Sequence, residues 1–296
     1  MGSAAVAAAA APPPPPNCAA TFNLFIPGTW ETDEKADPAR PVGMLGPIAE
    51  AVEREQGAES EIFFTPYIAR AFDDGHTYAD SKNTAILNAG NVLRDYFTRC
   101  PEALFTITGY SQGADAAGDI ASAIGNNRGP VPADRVLAVG LLSDPAAGTA
   151  GETVVGPRPV GTGIADPRPL GMGALTGRVS SICHPEDLYC AISKSDSPLF
   201  GLLGSVLSKT SRGAGISDEP GAFTDSAFTN GAFTDATDSA DTDLGTLLDE
   251  GIDIAEFYAS GVHGGYGSLV VDQLGRTALQ WLGDWLNRLI GSATPE

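Results

Sequence analysis

Positive charge is scarce in this chain. Across 296 residues, 17 Lys and Arg face 37 Asp and Glu, for a formal net charge of −20. Too few cations exist to neutralise phosphates, which excludes nucleic acid as a partner and argues against an anionic membrane surface. The acidity reads as a well-solvated surface rather than as an acidic site. No apolar run in the body of the chain reaches membrane-spanning length, so no transmembrane segment is expected. Residues 1–17 lack the basic n-region of a complete signal peptide. Their alanines followed by five prolines read as an incomplete signal peptide or an appended leader, a stiff tether outside the fold.

Cysteine and histidine are also few. The four cysteines, Cys18, Cys100, Cys183 and Cys190, can pair in three ways, and Cys183 and Cys190 lie close enough to staple a small loop around Asp187. Their spacing, with no second close pair, is poor for zinc, so no metal is expected. Oxidised pairs would place the protein outside the cytoplasm, secreted or in the cell envelope; reduced thiols in the cytosol are the alternative.

What the chain does have is length and apolar content, with 43% hydrophobic residues, enough for one large domain with a full core. Thr21 to Pro27 reads as a buried strand, Gly46-Pro47 opens a helix to about Gln56, and Glu61 to Thr65 is a second strand. Asp80 can cap a helix whose apolar face is Ile86, Leu87, Val92, Leu93, Tyr96 and Phe97. Leu104 to Tyr110 leads into a helix over Ala114 to Ile124 that Gly125 ends. Arg135 to Ser143 is a nearly continuous apolar strand, as a parallel sheet covered on both faces requires. Pro145 to Gly177 holds eight Gly and five Pro, too many breakers for regular structure, and reads as a long surface excursion. Val179 to Cys183 resumes as a strand, and Leu269 to Ile290 as a closing amphipathic helix carrying Leu274, Ala278, Trp281, Leu282, Trp285 and Leu289 on one face. The alternation predicts a doubly wound α/β sheet. The domain comprises residues 18–194 and 251–292. Residues 195–250 are an acidic insertion with three near-copies of a pentapeptide around Phe223, Phe228 and Phe233, read as a passive insertion or a lid; calcium binding there lacks the EF-hand spacing.

Chemistry concentrates at Gly109-Tyr110-Ser111-Gln112-Gly113, a G-x-S-x-G pattern between a strand and a small-residue helix. A serine on that sharp turn needs glycine on both sides, and its hydroxyl projects above the sheet edge. Three fixed positions are weakly specific in a glycine-rich chain, but the strand and helix around them raise the specificity. The serine needs a base. Of three histidines, His76 precedes the nucleophile and is out of order for this architecture. His184 sits in the small cysteine loop, and His263 sits in a glycine-rich turn before the last helix, where the fold places its base. The acid must follow a strand at the same edge. Asp187 is preferred because the cysteines would fix its loop, with Asp144 and Glu186 as alternatives. The oxyanion hole needs two N–H donors, one from Gln112 after the nucleophile and one from Thr29 in the loop leaving the first strand.

These residues together resemble the cutinase family of α/β-hydrolases. Gly28-Thr29-Trp30-Glu31 resembles the family's Gly-Ser-x-Glu, and Gly43-Met44-Leu45-Gly46-Pro47 its Gly-x-Leu-Gly-Pro. Cys100-Pro101 followed by the Ser111 pentapeptide, Cys183-x-x-x-Asp187-x-x-Cys190 and His263-Gly-Gly-Tyr266-Gly267 complete the set. The resemblance implies an α/β-hydrolase three-layer sandwich on a mostly parallel five-stranded sheet. It also implies a Ser111, Asp187 and His263 triad, an oxyanion hole at Thr29 and Gln112, disulfides Cys18–Cys100 and Cys183–Cys190, and ester hydrolysis without a cofactor. The wide gap between Asp187 and His263 looks like the longer actinobacterial envelope enzymes, including trehalose dimycolate hydrolases and phospholipase or thioesterase relatives, so a lipid or acyl ester is the expected substrate of a monomer. Acyl transfer to a sugar hydroxyl is the alternative reaction, and a catalytically silent binding protein the alternative class.

Overall fold

The computed structural model describes residues 18–71, 75–192 and 260–293. The leader and the acidic insertion with its phenylalanine repeats lie outside the described residues. Six strands form one sheet: β1 Thr21–Ile26, β2 Ser60–Phe64, β3 Leu104–Tyr110, β4 Val136–Leu142, β5 Glu152–Val154 and β6 Val179–Ile182. Their order is β2-β1-β3-β4-β6-β5, and every neighbouring pair is parallel. The chain winds outward from β1 to β2, then returns past it to β3 and onward. The direction of winding therefore reverses between β1 and β3, and a sheet of this kind opens a crevice beyond the carboxyl ends of its strands at that point.

Helices cover both faces. α2 Tyr78–Arg99 and α3 Gln112–Gly125 bury one, α1 Gly46–Gln56 and α4 Ala278–Ala293 the other. β1 is apolar along most of its length for that reason: Phe22, Leu24 and Ile26 join the core with Ile86, Leu93 and Ile120, whereas Phe25 points oppositely to Ile48, Val52 and Leu282. α2 begins with a capping box in which Thr77 is the cap, accepting from Asp80 N, while the Asp80 carboxylate accepts from Thr77 N. Asp80 is thus the third helical residue of that box rather than the cap, as reciprocal pairing requires.

Three further expectations need correction. The sheet has six strands, not five, because the three-residue β5 pairs with β6 within the stretch read as irregular. That stretch is no simple surface excursion either. Met172 and Leu175 enter the core beside α3, and buried Arg168 bonds Asp119 on α3 and Asp144 after β4. A Cβ at Gly118 would strike the Arg168 guanidinium, which accounts for one of the small residues on α3. Finally, the closing helix starts at Ala278, and Leu274 is 81% exposed. Gly275 takes a left-handed φ of 76°, Asp272 collects the N–H groups of Leu274 and Arg276, and Thr277 N donates to the Gln280 side chain. That turn overrides the helical spacing of Leu274.

Candidate active site

Ser111 follows β3 with φ 55° and ψ −122°, and its N–H donates to Leu142 O at 2.9 Å, so the neighbouring strand fixes the turn. The flanking glycines are steric necessities. A Cβ at Gly109 would strike the backbone of Gly113 and Ala114, and one at Gly113 would strike the carbonyls of Ile26 and Pro27. The same close approach lays the loop leaving β1 against the start of α3. Gln112 opens α3, so its N–H has no acceptor within the helix. Its side chain is tied down by Ser81 Oγ, which donates to Oε1 at 2.8 Å, and by donation to the carbonyls of Arg70 and Tyr78. Thr29 is half-exposed in the β1 loop. Glu31 straps that loop, accepting from Gly28 N and from Met44 N, each at 2.8 Å. Burial pushes the Glu31 carboxyl up, against those two bonds and the neighbouring His263.

His263 lies in the 3-10 helix Val262–Gly267. Its Nε2 is 2.8 Å from Ser111 Oγ and its Nδ1 is 2.9 Å from Asp187 Oδ2. A carboxylate can only accept, so Nδ1 carries the hydrogen and Nε2 is left to accept from the serine hydroxyl. Tyr110 donates its hydroxyl to His263 O at 2.7 Å and stacks on the imidazole at 5.3 Å between centroids, while the Tyr189 ring lies 4.5 Å away on centroids.

Asp187 is buried in the loop after β6, closed by the disulfide Cys183–Cys190, and its N–H donates to His184 O. Oδ1 accepts from Tyr189 N at 3.1 Å. Oδ2 accepts from Ser143 Oγ at 2.6 Å and Tyr266 OH at 2.8 Å as well as from His263. Burial alone would raise its pKa; the hydrogen bond and charge of His263, with the bonds from Ser143 and Tyr266, outweigh burial and hold it below the usual carboxylate range.

The structure therefore brings Ser111, His263 and Asp187 into one hydrogen-bonded chain. The alternatives lie elsewhere. Asp144 turns away into a bidentate pair with Arg168, Glu186 is exposed, and His184 accepts from Glu186 N. His76 is half-exposed in the loop before α2. The other disulfide joins Cys18 to Cys100, ahead of β1 and after α2. Ser143 went unassigned in the sequence, and Tyr266 and Glu31 were visible only as motif residues. The signal for Ser143 was topological: a hydroxyl ending the strand beside β3 must emerge at the same edge as Ser111.

The family model for cutinase matches residues 32–201 of this chain. The chain belongs to the cutinase family. As in other α/β-hydrolases, this cutinase-family chain carries its serine on a strand-to-helix elbow of a parallel sheet between helical layers. It is 31% identical over 202 residues to the carboxylesterase Culp6 homolog of Corynebacterium glutamicum, a match covering 58% of this chain and 65% of that protein. The chain thus spans just under two thirds of the length of this curated relative. Among solved structures it is similar to an acetylxylan esterase, with a TM-score of 0.47 and 19% identity over 66% of this chain and 95% of that one. A cutinase-like protein from Cryptococcus sp. aligns with a TM-score of 0.44 and 16% identity, over 60% of this chain and 82% of that one.

Proposed function

We propose that this protein is a serine esterase that cleaves carboxylic esters of acyl lipids by way of an acyl-enzyme. The observation that carries the reading is the relay from Ser111 Oγ through His263 to Asp187, with contacts of 2.8 and 2.9 Å. Family membership and the carboxylesterase name of the Corynebacterium relative support ester hydrolysis as the reaction. Ser111 Oγ attacks the ester carbonyl carbon as its proton passes to His263 Nε2, and the carbonyl electron pair moves onto the oxygen. The N–H groups of Gln112 and Thr29 receive that negative charge. Collapse expels the alcohol, which takes the proton from His263; water then repeats the sequence and releases the acid and free Ser111. Asp187 keeps Nδ1 protonated and stabilises the imidazolium, and this route requires no cofactor.

Exposed apolar side chains on the flanking segments support an acyl or lipid substrate. Trp30 follows Thr29 and is 62% exposed, and Val270 and Leu274 after the His263 turn are 51% and 81% exposed. Two disulfides support an extracytoplasmic, secreted or envelope location, and the charge of −20 fits a soluble monomer that avoids nucleic acid.

The test is labelling with a fluorophosphonate together with turnover of p-nitrophenyl esters of increasing chain length. Ser111→Ala should lose both label and turnover, and Asp187→Asn should lower kcat by roughly 100- to 10,000-fold. A label undiminished by Ser111→Ala would refute the esterase reading. A preference for acetate over longer acyl chains would refute the lipid part alone.

A further inference from the structure

Ser143 closes β4 with a left-handed φ of 53°, one strand over from Ser111 with its φ of 55°. Glycine takes such a conformation freely, whereas a residue with a Cβ does so at a cost of about 1 kcal/mol or more. The side chain kept there is fully buried. Its hydroxyl lies 2.6 Å from Asp187 Oδ2 and 3.1 Å from His263 Nδ1, while those two atoms are 2.9 Å from one another. Its backbone N–H donates to Ile182 O at 3.0 Å, so β6, which leads into the Asp187 loop, holds it in place.

We propose that Ser143 is a positioning residue for the acid and base: its O–H donates to Asp187 Oδ2 while its oxygen shares the Nδ1–H of His263, closing a triangle that aims the imidazole at Ser111. The proposal rests on the reading of Ser111, His263 and Asp187 as a triad. Proton balance fixes the directions of the three bonds. Asp187 can only accept, Ser143 has one hydrogen and gives it to the shorter contact, and His263 Nδ1–H then has two acceptors within reach. A shared hydrogen with two fixed acceptors constrains the ring more tightly than one acceptor does.

The triangle also tempers the charge that Asp187 presents to the imidazole. Among the described residues, the groups around the pair are Asp187 itself, Glu31 from the β1 loop, Tyr110 from β3, Tyr189 from the acid loop and Tyr266 from the histidine turn. Asp144, next to Ser143, is engaged by Arg168. Removing the Ser143 hydroxyl leaves Oδ2 with two donors rather than three, so the carboxylate charge is less dispersed and the imidazolium is better stabilised. The acid limb of the kcat/KM profile then moves to higher pH. Attack and deacylation both use His263, so kcat should fall while KM holds.

Two substitutions separate this role from backbone strain. Ser143→Gly removes the hydroxyl and relieves the left-handed φ; Ser143→Ala removes the hydroxyl and keeps it. Both should lower kcat roughly 10-fold and move the acid limb upward alike, with the glycine variant the more heat-stable. In proton NMR, the downfield Nδ1–H resonance of His263 should shift in Ser143→Gly, a readout independent of turnover. Wild-type kcat, pH profile and resonance in Ser143→Gly would overturn the proposal, as would a kinetic defect confined to the variant of lower Tm. A wild-type enzyme that fluorophosphonate does not label would instead refute the triad, and with it the role of Ser143.

Discussion

Glu152 enters β5 with its side chain 3% exposed, and among the described residues its Oε1 accepts no hydrogen bond. Arg168 is 3.8 Å away but already committed to Asp144, Asp119 and Asp115. Burial, then the charge of Asp144, pushes the Glu152 carboxyl up to about 8 against the pull of Arg168. The folded protein therefore keeps a proton that the unfolded chain releases near the ordinary glutamate value. Between those two values the native state binds more protons, so stability falls as pH rises and is lowest above the folded value. Urea titrations should find the wild type losing stability from pH 5 to 8.5. Glu152→Gln should flatten that slope and be more stable at pH 8.5 by an amount on the order of 2–4 kcal/mol; parallel slopes would show that Glu152 is ionised throughout. Neither this group nor Arg168 stood out in the sequence, because a charged residue in a Gly- and Pro-rich stretch reads as a solvated loop until its partners are known. Ser111, Asp187 and His263 were legible because local glycine and cysteine patterns mark them. Ser143 was not, since no local glycine or cysteine pattern marks it and only the fold brings it to partners 44 and 120 positions away.

Among the elements, the elbow between β3 and α3 is sterically determined at both of its glycines. Gly113 lies under the carbonyls of Ile26 and Pro27, backbone atoms that cannot withdraw without moving the Thr29 loop. Gly113→Ala should cost roughly 3 kcal/mol or more and depress fluorophosphonate labelling. Gly264→Ala, where a Cβ meets nothing within 4 Å, should stay within about 0.5 kcal/mol of wild type in the same denaturation experiment. Equal midpoints for the two would contradict the packing described here. The longer strands were readable because burial on both faces leaves a continuous apolar run, and the first three helices because their ends and one-sided burial leave marks in the sequence. β5 and the start of the closing helix were not readable, for different reasons. β5 is three residues long, too short to show any period, and Leu274 continues a helical period that Gly275 and Asp272 interrupt.

At the scale of the whole molecule, the two disulfides do different work because they sit at opposite ends of the strands. Cys18–Cys100 spans 82 positions and lies just ahead of β1, away from the edge that carries Ser111; Cys183–Cys190 spans 7 and encloses Asp187. On chain entropy alone the first contributes about 4.5 kcal/mol and the second about 2.4 kcal/mol. A Cys18→Ser/Cys100→Ser double variant should therefore lower Tm by roughly 10 °C or more yet leave kcat near wild type at 25 °C. Cys183→Ser/Cys190→Ser should lower Tm by about half as much but reduce kcat, because Asp187 must be held against three donors at once. If the second variant kept full kcat, the backbone bonds from Asp187 N to His184 O and from Cys190 N to Asp187 O would suffice to hold the acid. The small disulfide would then serve stability alone.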